Sequence, residues 1–572
     1  MNEFTSRSKV SSLTNTSPLK LDDHDSVHME DETNVSLVEG TPTDLPPHGR
    51  YDESEDNGSR SAYPHTVDGR QVSCQNETGN THSGMETTAL HIDRCSFLYL
   101  PVELIDSILM HLAAVDLCSI SATCRKLHKQ AMSEFHWLRC IRDHVPGLVL
   151  SCPGPCETFR ELYKAHDPVW FLPKYKVWFC DRDMMGKLII VRFDPRRGCI
   201  EGYQVLAVNN KQTFEEWPAR NDVFILSFEP HVKLHLDRPV LQLNIGDTQN
   251  VRNHAARTGA NRFAAEVPMM RGDRRDLNFN NFMLTRPLDP GTAGANQVPE
   301  YPYDYVWPPP AVPSDHRVSG TKSDQSVVGN IAPHDTPMSR GEISHQTFRI
   351  RQWTQMAGTG SPLTLLGDQN GGIAGLLGVV AELGNVVDAG RVHIGEEVIT
   401  YSTLDTILYT PTESKPWRGI WVGDYSGHGC EFLLIHQPDD PAVTDAELGL
   451  VRRVDETDEA WEERRRETYI YRGRLEAIKL TGDPNVPRGE YTFVADDLGP
   501  EGFVGIASDP PFTGTRIVKS RGHVAGTGFV NDRYTESQLL LIGPNRLAQY
   551  WVEFGHISFF ERVQIDQLLV PP

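Results

Sequence analysis

The sequence has no long apolar run and no excess of hydrophobic residues. Its best apolar stretch, Ile373–Leu383, contains Gly375 and Gly378 and is shorter than the roughly 18–20 residues that cross a bilayer, which predicts no membrane helix. The first residues also lack the apolar core of a secretory signal. We therefore expect a protein of the cytoplasm or the nucleus, or of both, with its ten cysteines reduced.

An excess of positive charge is also missing. The formal net charge is −22 and the sequence pI is about 5.4. Phosphate backbones and anionic membranes are bound by basic surfaces, so we expect neither nucleic acid nor a membrane as a partner.

The usual sequence patterns of catalysis are absent as well. No Gly-x-Ser-x-Gly elbow, phosphate loop or His-Glu-x-x-His pair occurs. Cys152 and Cys156 are spaced like half of a zinc site, but the second short pair that such a site needs is missing. We therefore expect no cofactor, no metal and no enzyme activity.

Composition changes along the chain and suggests its organisation. Residues 1–92 are acidic and poor in aromatics, which predicts disorder. Residues 93–145 have apolar residues at helical spacing, and residues 168–567 are rich in short strand patterns. Within the latter, about 285–345 and 440–467 are predicted to be flexible insertions. The fold class is therefore α+β, with a helical module ahead of an antiparallel β-domain.

The strand patterns are separated by turn residues. Trp170–Cys180 and Lys187–Phe193 are two predicted strands with a turn near Gly186. Gly419–Tyr425 and Cys430–His436 flank Ser-Gly-His-Gly, which is typical of a hairpin. Short strands joined in this way favour an antiparallel sheet that closes into a barrel.

The helical module begins with Pro101, which suits the first turn of a helix. Leu104, Ile108 and Leu112 then fall on one stripe, and a third short helix carries Trp137. Three such helices bury little apolar surface by themselves. The pattern therefore predicts a docking module whose exposed apolar helical surface is covered by a helix-recruiting adaptor.

The order of residues in this module resembles the F-box family. The matching positions are Leu100-Pro101-x-Glu103-Leu104, Ile108-Leu109, Leu112, Asp116-Leu117, Cys124-Arg125 and Trp137. The resemblance implies a three-helix F-box that binds a Skp-family adaptor, which links to a cullin scaffold and a RING subunit. The implied adaptor contacts are Leu100, Pro101, Glu103, Leu104, Ile108, Leu109, Leu112, Leu117, Leu127 and Trp137.

Three later segments resemble the cyclin-D1-binding domain of F-box proteins. They are 418–431, 478–489 and 522–529, and the first two contain Gly-Asp-Tyr-Ser-Gly-His-Gly-Cys-Glu and Thr-Gly-Asp-Pro-Asn-Val-Pro. The resemblance implies a β-barrel that captures a C-terminal peptide of a protein substrate. The implied substrate-binding residues are Asp424, Tyr425, Gly427, His428, Gly429, Glu431, His523, Gly526 and Thr527.

These features together predict a substrate-recognition subunit of an SCF (Skp–cullin–F-box) ubiquitin ligase. One alternative is an F-box protein that acts outside a ligase as a scaffold. A second alternative is a metal-dependent enzyme that uses Asp424, His428 and Glu431, which lie close together in sequence.

Overall fold

A computed structural model describes most of the chain after the acidic N-terminal segment. The predicted disordered region 1–92 lies outside the described residues. These are 96–209, 213–218, 220–269, 278–289, 306–320, 335–357, 391–424 and 428–571.

The helical module follows a 3₁₀ turn at Ser96–Tyr99. Its helices are α1 (Val102–Leu109), α2 (Ala114–Ser121), α3 (Arg125–Ala131) and α4 (Glu134–Arg142). The module therefore has four helices where the sequence predicted three. The chain breaks after α2 because Cys124 adopts an extended conformation (φ −156°, ψ 164°) and begins α3 as a separate helix.

Two further helices, α5 (Phe159–His166) and α6 (Phe171–Tyr175), connect this module to the first sheet. The strand predicted over Trp170–Cys180 is therefore wrong in its first half. The helix ends where Lys176 takes a left-handed φ of 64°, and the strand starts directly after it.

The first sheet has nine antiparallel strands. They are β1 (Val177–Cys180), β2 (Leu188–Asp194), β3 (Cys199–Asn209), β6 (Pro230–Leu234), β7 (Leu241–Leu243), β8 (Val267–Pro268), β9 (Asn278–Leu284), β12 (Thr347–Ala357) and β13 (Arg391–Thr403). Their order in the sheet is β6-β3-β2-β1-β13-β12-β9-β8, with β7 beside β3. A helix, α7 (Ile245–Thr258), lies between β7 and β8 in sequence.

The second sheet contains a closed antiparallel barrel of eight strands. They are β14 (Gly419–Asp424), β15 (Cys430–His436), β16 (Leu475–Lys479), β17 (Tyr491–Ala495), β19 (Arg516–Gly526), β20 (Val530–Gly543), β21 (Arg546–Trp551) and β22 (His556–Arg562), and each pairs with the next. Pairing of β14 with β22, with Trp421 opposite Arg562, closes the barrel.

Three further strands are attached to the barrel. β18 (Phe503–Ile506) pairs with β19, and the hairpin of β4 (Phe214–Trp217) and β5 (Arg220–Leu226) joins β22 in parallel. A separate pair is formed by β10 (Val306–Trp307) and β11 (Val318–Ser319). The remaining helices are α8 (Thr406–Tyr409), α9 (Asp458–Ile470) and α10 (Ile565–Leu569).

Side-chain alternation along the strands arranges the molecule in layers. In β1, Trp178 packs into the core shared with the helices, whereas Val177 and Phe179 pack into the core shared with the barrel. In β14, Ile420 belongs to that second core, whereas Trp421 packs inside the barrel. The order is therefore helices, first sheet and barrel, with a continuous core at each interface.

The α+β fold and the barrel are confirmed, but the barrel is smaller than the predicted range of 168–567. It runs from Gly419 to Arg562, because the strands before it form the open first sheet. The described parts of the predicted insertion 285–345 are packed into the core through Trp307, Val312 and Val318. The predicted insertion 440–467 contains most of α9, a helix without buried residues.

The junction between the helical module and the first sheet contains two buried histidines. His166 Nε2 lies 2.8 Å from the Gly198 carbonyl oxygen, and the His144 ring stacks on Trp170. Burial is the largest cause that lowers the pKa of each imidazole, from 6.5 to about 4. Both rings are therefore neutral in the folded protein at neutral pH.

This junction is expected to lose stability in mild acid. Between pH 6.5 and about 4 the unfolded chain protonates these histidines and the folded chain does not, so stability is full above that window and falls as the pH falls through it. The loss is about 1–3 kcal/mol per histidine. Thermal unfolding of the intact chain at pH 7.5 and 4.5, monitored by tryptophan fluorescence, measures this loss of stability.

A His144→Phe, His166→Gln variant is the control, since glutamine keeps a donor for the Gly198 carbonyl. The melting temperature of this variant should depend less on pH than that of the wild type. Equal pH dependence of the two proteins would exclude these histidines as the cause.

Candidate functional site

The helical module exposes large apolar side chains along α1. Leu104 and Ile108, one helical turn apart, are 50% and 44% exposed. Tyr99, Val102, Val115 and Phe135 in the same module are also exposed. We call these six residues the apolar surface. Such a concentration of exposed apolar side chains is typical of a protein-binding site.

The ten predicted adaptor contacts divide between the surface and the interior. Pro101, Glu103, Leu104 and Ile108 are exposed, and Leu100 and Leu112 are partly buried. The other four lie in the core of the module, packed between its helices. They are Leu109, Leu117, Leu127 and Trp137.

Trp137 illustrates the structural role of this inner group. Its indole nitrogen donates to the Ala131 carbonyl at 3.0 Å, and its ring packs edge-on against Tyr163 of α5. On the other side of the module, His136 Nε2 lies 3.2 Å from Asp106 Oδ1 and joins α4 to α1. The inner residues hold the helices that display the apolar surface.

The barrel presents a second candidate site where four strand connections meet. These connections follow β14, β16, β19 and β21 and lead into β15, β17, β20 and β22. Because consecutive antiparallel strands alternate in direction, all four lie at the same end of the barrel. We call this the hairpin end.

Asn485 joins three of these connections. Its side-chain nitrogen lies 3.5 Å from His428 Nε2, and its Oδ1 accepts from the Thr527 hydroxyl at 3.1 Å. Next to it, the Gly528 amide donates to the Pro484 carbonyl at 2.8 Å. The predicted substrate-binding residues that are exposed here do form part of one accessible rim. They are His428, Gly429, Gly526 and Thr527.

A buried ionic cluster lies beneath this rim. Lys479 Nζ is 2.7 Å from Glu431 Oε2 and 2.5 Å from Asp483 Oδ2, and all three side chains are almost fully buried. Asp483 Oδ1 also accepts from the backbone amides of Asn485 and Val486. The cluster therefore fixes the loop that carries Asn485.

The protonation of the cluster reduces its net charge. Burial raises the pKa of Glu431 to about 8 in spite of the neighbouring Lys479 charge. Burial also disfavours the Asp483 carboxylate, but the Lys479 charge and hydrogen bonds from Glu431, Lys479 and the loop amide together lower its pKa to about 2. A protonated Glu431, an ammonium and one carboxylate form a neutral set that can be buried.

The glycine that precedes Asp483 lets this loop pack closely on the first sheet. The Gly482 amide donates to the Met185 carbonyl and the Arg488 amide to the Met184 carbonyl, at 2.8 and 2.9 Å. A Cβ atom at Gly482 would collide with the backbone of Arg488 and Met184. Arg488 in turn lies over the Trp307 ring at 4.9 Å. The hairpin end is thus held by the first sheet.

His523 has a different position from the one predicted for substrate binding. It is buried, and its ring nitrogens lie 3.0 Å from the Tyr491 carbonyl oxygen and 3.2 Å from Asp532 Oδ2. The ring also stacks on Tyr534. Both ring nitrogens have partners within the barrel, in β17 and β20, so His523 joins these strands next to the rim.

Asp424 and Glu431 do not converge with His428. Glu431 pairs in register with Gly423, and Asp424 pairs with Cys430, so the two carboxylates point to opposite faces of the barrel wall. Asn209 donates to Asp424, whereas Glu431 pairs with Lys479. In the described part of the chain no three His, Cys, Asp or Glu side chains are grouped to hold a metal ion. Tyr425 and Gly427 lie outside the described residues.

Three residues of this site were not predicted as binding or supporting residues. Asp483 and Asn485 lie within the Thr-Gly-Asp-Pro-Asn-Val-Pro string that carried the family resemblance, but neither was named as a binding residue. Lys479 continues the alternation of Leu475 and Ala477, which lie inside the barrel. A lysine at such an inward-facing strand position is the signal that indicates a buried ion pair.

Among the described residues, none of the helices is long and apolar enough to cross a bilayer. The described architecture is an α+β protein with a helical module, a connecting sheet and a closed barrel. Comparison with protein families assigns both ends. Residues 97–142 match the F-box-like family, and residues 401–567 match the Cyclin D1 binding domain. Both matches fall where the sequence motifs indicated a resemblance to these two families.

Curated proteins of plants are similar over a shorter part of the chain. Protein EXECUTER 2, chloroplastic, of Arabidopsis thaliana is 25% identical over 166 residues, 27% of this chain and 22% of that protein. Its namesake in Oryza sativa subsp. japonica is 29% identical over 162 residues, 27% of this chain and 20% of that protein. Protein EXECUTER 1, chloroplastic, of Arabidopsis thaliana is 32% identical over 118 residues, 18% of this chain and 16% of that protein. The chain spans about a fifth of the length of these relatives.

Proposed function

We propose that this protein is the substrate-recognition subunit of an SCF ubiquitin ligase of the cytoplasm, the nucleus or both. The observation that carries the proposal is the apolar surface of the F-box-like domain. F-box domains typically bind Skp-type adaptors, and Leu104 and Ile108 offer such an adaptor two exposed apolar anchors on one helix face. A cullin scaffold and a RING subunit then join through the adaptor.

The barrel supplies the other half of this function. Its rim of His428, Asn485 and Thr527 offers an imidazole, an amide and a hydroxyl side by side. Gly429, next to His428, is exposed and has no side chain that would keep a peptide end away from its backbone. We infer that this rim captures a client peptide or its C-terminus, and that the client is then ubiquitinated and degraded by the proteasome.

In this function the chain itself supplies no reacting group. It raises the concentration of client lysines near the ubiquitin-charged carrier, which is a proximity effect. The continuous core from α1 through the first sheet supports it, because such a core holds the client at a defined distance from the adaptor.

Reconstitution tests the proposal directly. The full chain, mixed with a Skp-family adaptor, a cullin and its RING subunit, should elute with all three as one complex in gel filtration. Binding to the adaptor without the cullin would favour the scaffold alternative. No binding to the adaptor would contradict the ligase function.

Substitutions at the rim are expected to weaken client binding. Asn485→Ala removes hydrogen bonds to two loops, and His428→Ala removes an exposed donor or acceptor. Each should lower affinity about tenfold, since one lost hydrogen bond costs about 1–2 kcal/mol. The probe is a peptide library with free and amidated C-termini, screened against the full chain, and fluorescence anisotropy then measures the selected peptides.

Arg466→Ala is the matched control, since Arg466 is exposed on α9 in the connection at the opposite end of the barrel. It should leave the affinity unchanged. Wild-type affinity in both rim variants, with unchanged melting temperatures, would place the client elsewhere.

A further inference from the structure

The chain contains few lysines for its number of cationic residues. It has 14 lysines and 41 arginines. The difference is largest in the barrel domain, residues 401–567, which has 3 lysines and 14 arginines. All three lysines, Lys415, Lys479 and Lys519, lie in the described part of the chain.

Two of these lysines are buried and have structural partners. Lys479 lies in the cluster with Glu431 and Asp483, and Lys415 forms an ion pair with Asp440. Lys519 is the exposed one, and its Nζ is 3.5 Å from the Glu501 carbonyl oxygen. The barrel domain therefore presents a single accessible primary amine among its lysine side chains.

The exposed ion pairs of the barrel use arginine. Arg474 and Arg521 both pair with Asp496, and Arg533 pairs with Glu553. Arginine is ordinarily preferred in buried ion pairs, and lysine is mostly an exposed residue. Among the buried cations of the domain, Lys415 and Lys479 are matched by Arg418 and Arg488, so the two residue types are equally frequent inside. Outside the core, Lys519 is the one lysine beside the other 12 of the 14 arginines, so the bias against lysine concerns the surface.

We propose that the barrel surface is kept poor in lysine to limit its own ubiquitination, and that Lys519 is the one ubiquitin acceptor of this domain. The inference rests on the proposed ligase function. A domain that holds a client near a ubiquitin thioester exposes its own amines to the same high local concentration. Each exposed lysine would therefore compete with the client.

Lysine can accept ubiquitin on its side chain, whereas arginine cannot. The neutral Lys519 amine attacks the thioester carbonyl of the ubiquitin-charged carrier, forming a C–N isopeptide bond and breaking the C–S bond. The carrier cysteine leaves as the thiolate, and the proton of the amine passes to solvent. An arginine side chain remains protonated in proteins and does not act as this nucleophile.

Lysine substitutions in the reconstituted complex test this inference. Site-resolved mass spectrometry should find ubiquitin within 401–567 at Lys519 and lose it in Lys519→Arg. An Arg453→Lys, Arg466→Lys variant, at two exposed positions, should carry about threefold more ubiquitin on the domain, since three accessible amines replace one. Adaptor binding and melting temperature should match the wild type.

The outcomes separate this inference from the ligase function. With the complex assembled and client ubiquitinated, equal modification of the wild type and the two-lysine variant would overturn the inference alone. Absence of ubiquitin at Lys519 under the same conditions would overturn the acceptor assignment. Failure to bind the adaptor would overturn both proposals together.

Discussion

Leu104→Asp combined with Ile108→Asp is expected to abolish adaptor binding while the fold is retained. Burying a leucine or isoleucine at an interface contributes about 1.5–3 kcal/mol, and the new carboxylates would also have to be desolvated. The combined loss should weaken the adaptor affinity at least about 100-fold. Isothermal titration of the full chain with the Skp-family adaptor measures it.

The fold should survive because both side chains are about half exposed, so aspartate is solvated in the free protein. Val451→Asp with Val454→Asp is a matched control, since these valines are 74% and 101% exposed in the insertion before α9. It should not change adaptor binding. Adaptor affinity equal to wild type in the Leu104, Ile108 variant would exclude the apolar surface as the docking site.

Substitution of a buried residue of the same helix distinguishes a loss of adaptor binding from a loss of stability. Leu109→Ala removes a fully buried side chain of α1 and should cost about 2–5 kcal/mol of stability. Its adaptor affinity should fall only to the extent that the helical module unfolds, which circular dichroism at several temperatures reports.

The second large effect is expected at the buried cluster of the barrel. Lys479→Met should lower the free energy of unfolding by about 3–5 kcal/mol, because it leaves the Asp483 carboxylate buried without its counter-ion. Lys479 is 3% exposed and lies between two carboxyl groups, so little water can replace the ammonium. Chemical denaturation followed by tryptophan fluorescence measures the change.

A second substitution tests the electrostatic cause. Adding Asp483→Asn to Lys479→Met removes the uncompensated charge but keeps a side-chain oxygen for the amides of Asn485 and Val486. We expect it to recover about half of the loss. Lys519→Met, an exposed control, should change stability by less than about 0.5 kcal/mol. Purely additive losses in the double variant would contradict a charge effect.

Local sequence patterns were sufficient to predict secondary structure in the helical module and in the barrel. The spacing of Leu104, Ile108 and Leu112 predicted a helix that the structure has as α1, and the Ser-Gly-His-Gly turn predicted the β14–β15 hairpin. These features depend on neighbours a few residues away. Motif order also indicated both families, and the family matches include the strings around Pro101 and Gly482.

The same patterns did not separate surface from interior. Ile108 is exposed and Leu109 is buried, although both are large apolar residues of one helix. Their difference depends on where α3 and α4 pack. The break at Cys124 and the helical start of the predicted first strand likewise depend on contacts with distant residues.

The sequence by itself therefore determined the kinds of element, the two recognisable domains and the unusual scarcity of lysine. Tertiary structure alone decided which residues these elements present. It divided the predicted single barrel into an open sheet and a closed one, buried His523, and brought Asn485 between His428 and Thr527. The physical reason is that helix and turn formation are local, whereas strand pairing and burial join residues far apart in the chain. Leu104 and Ile108 were predictable as part of one helical stripe, whereas the four other members of the apolar surface became evident only from the structure.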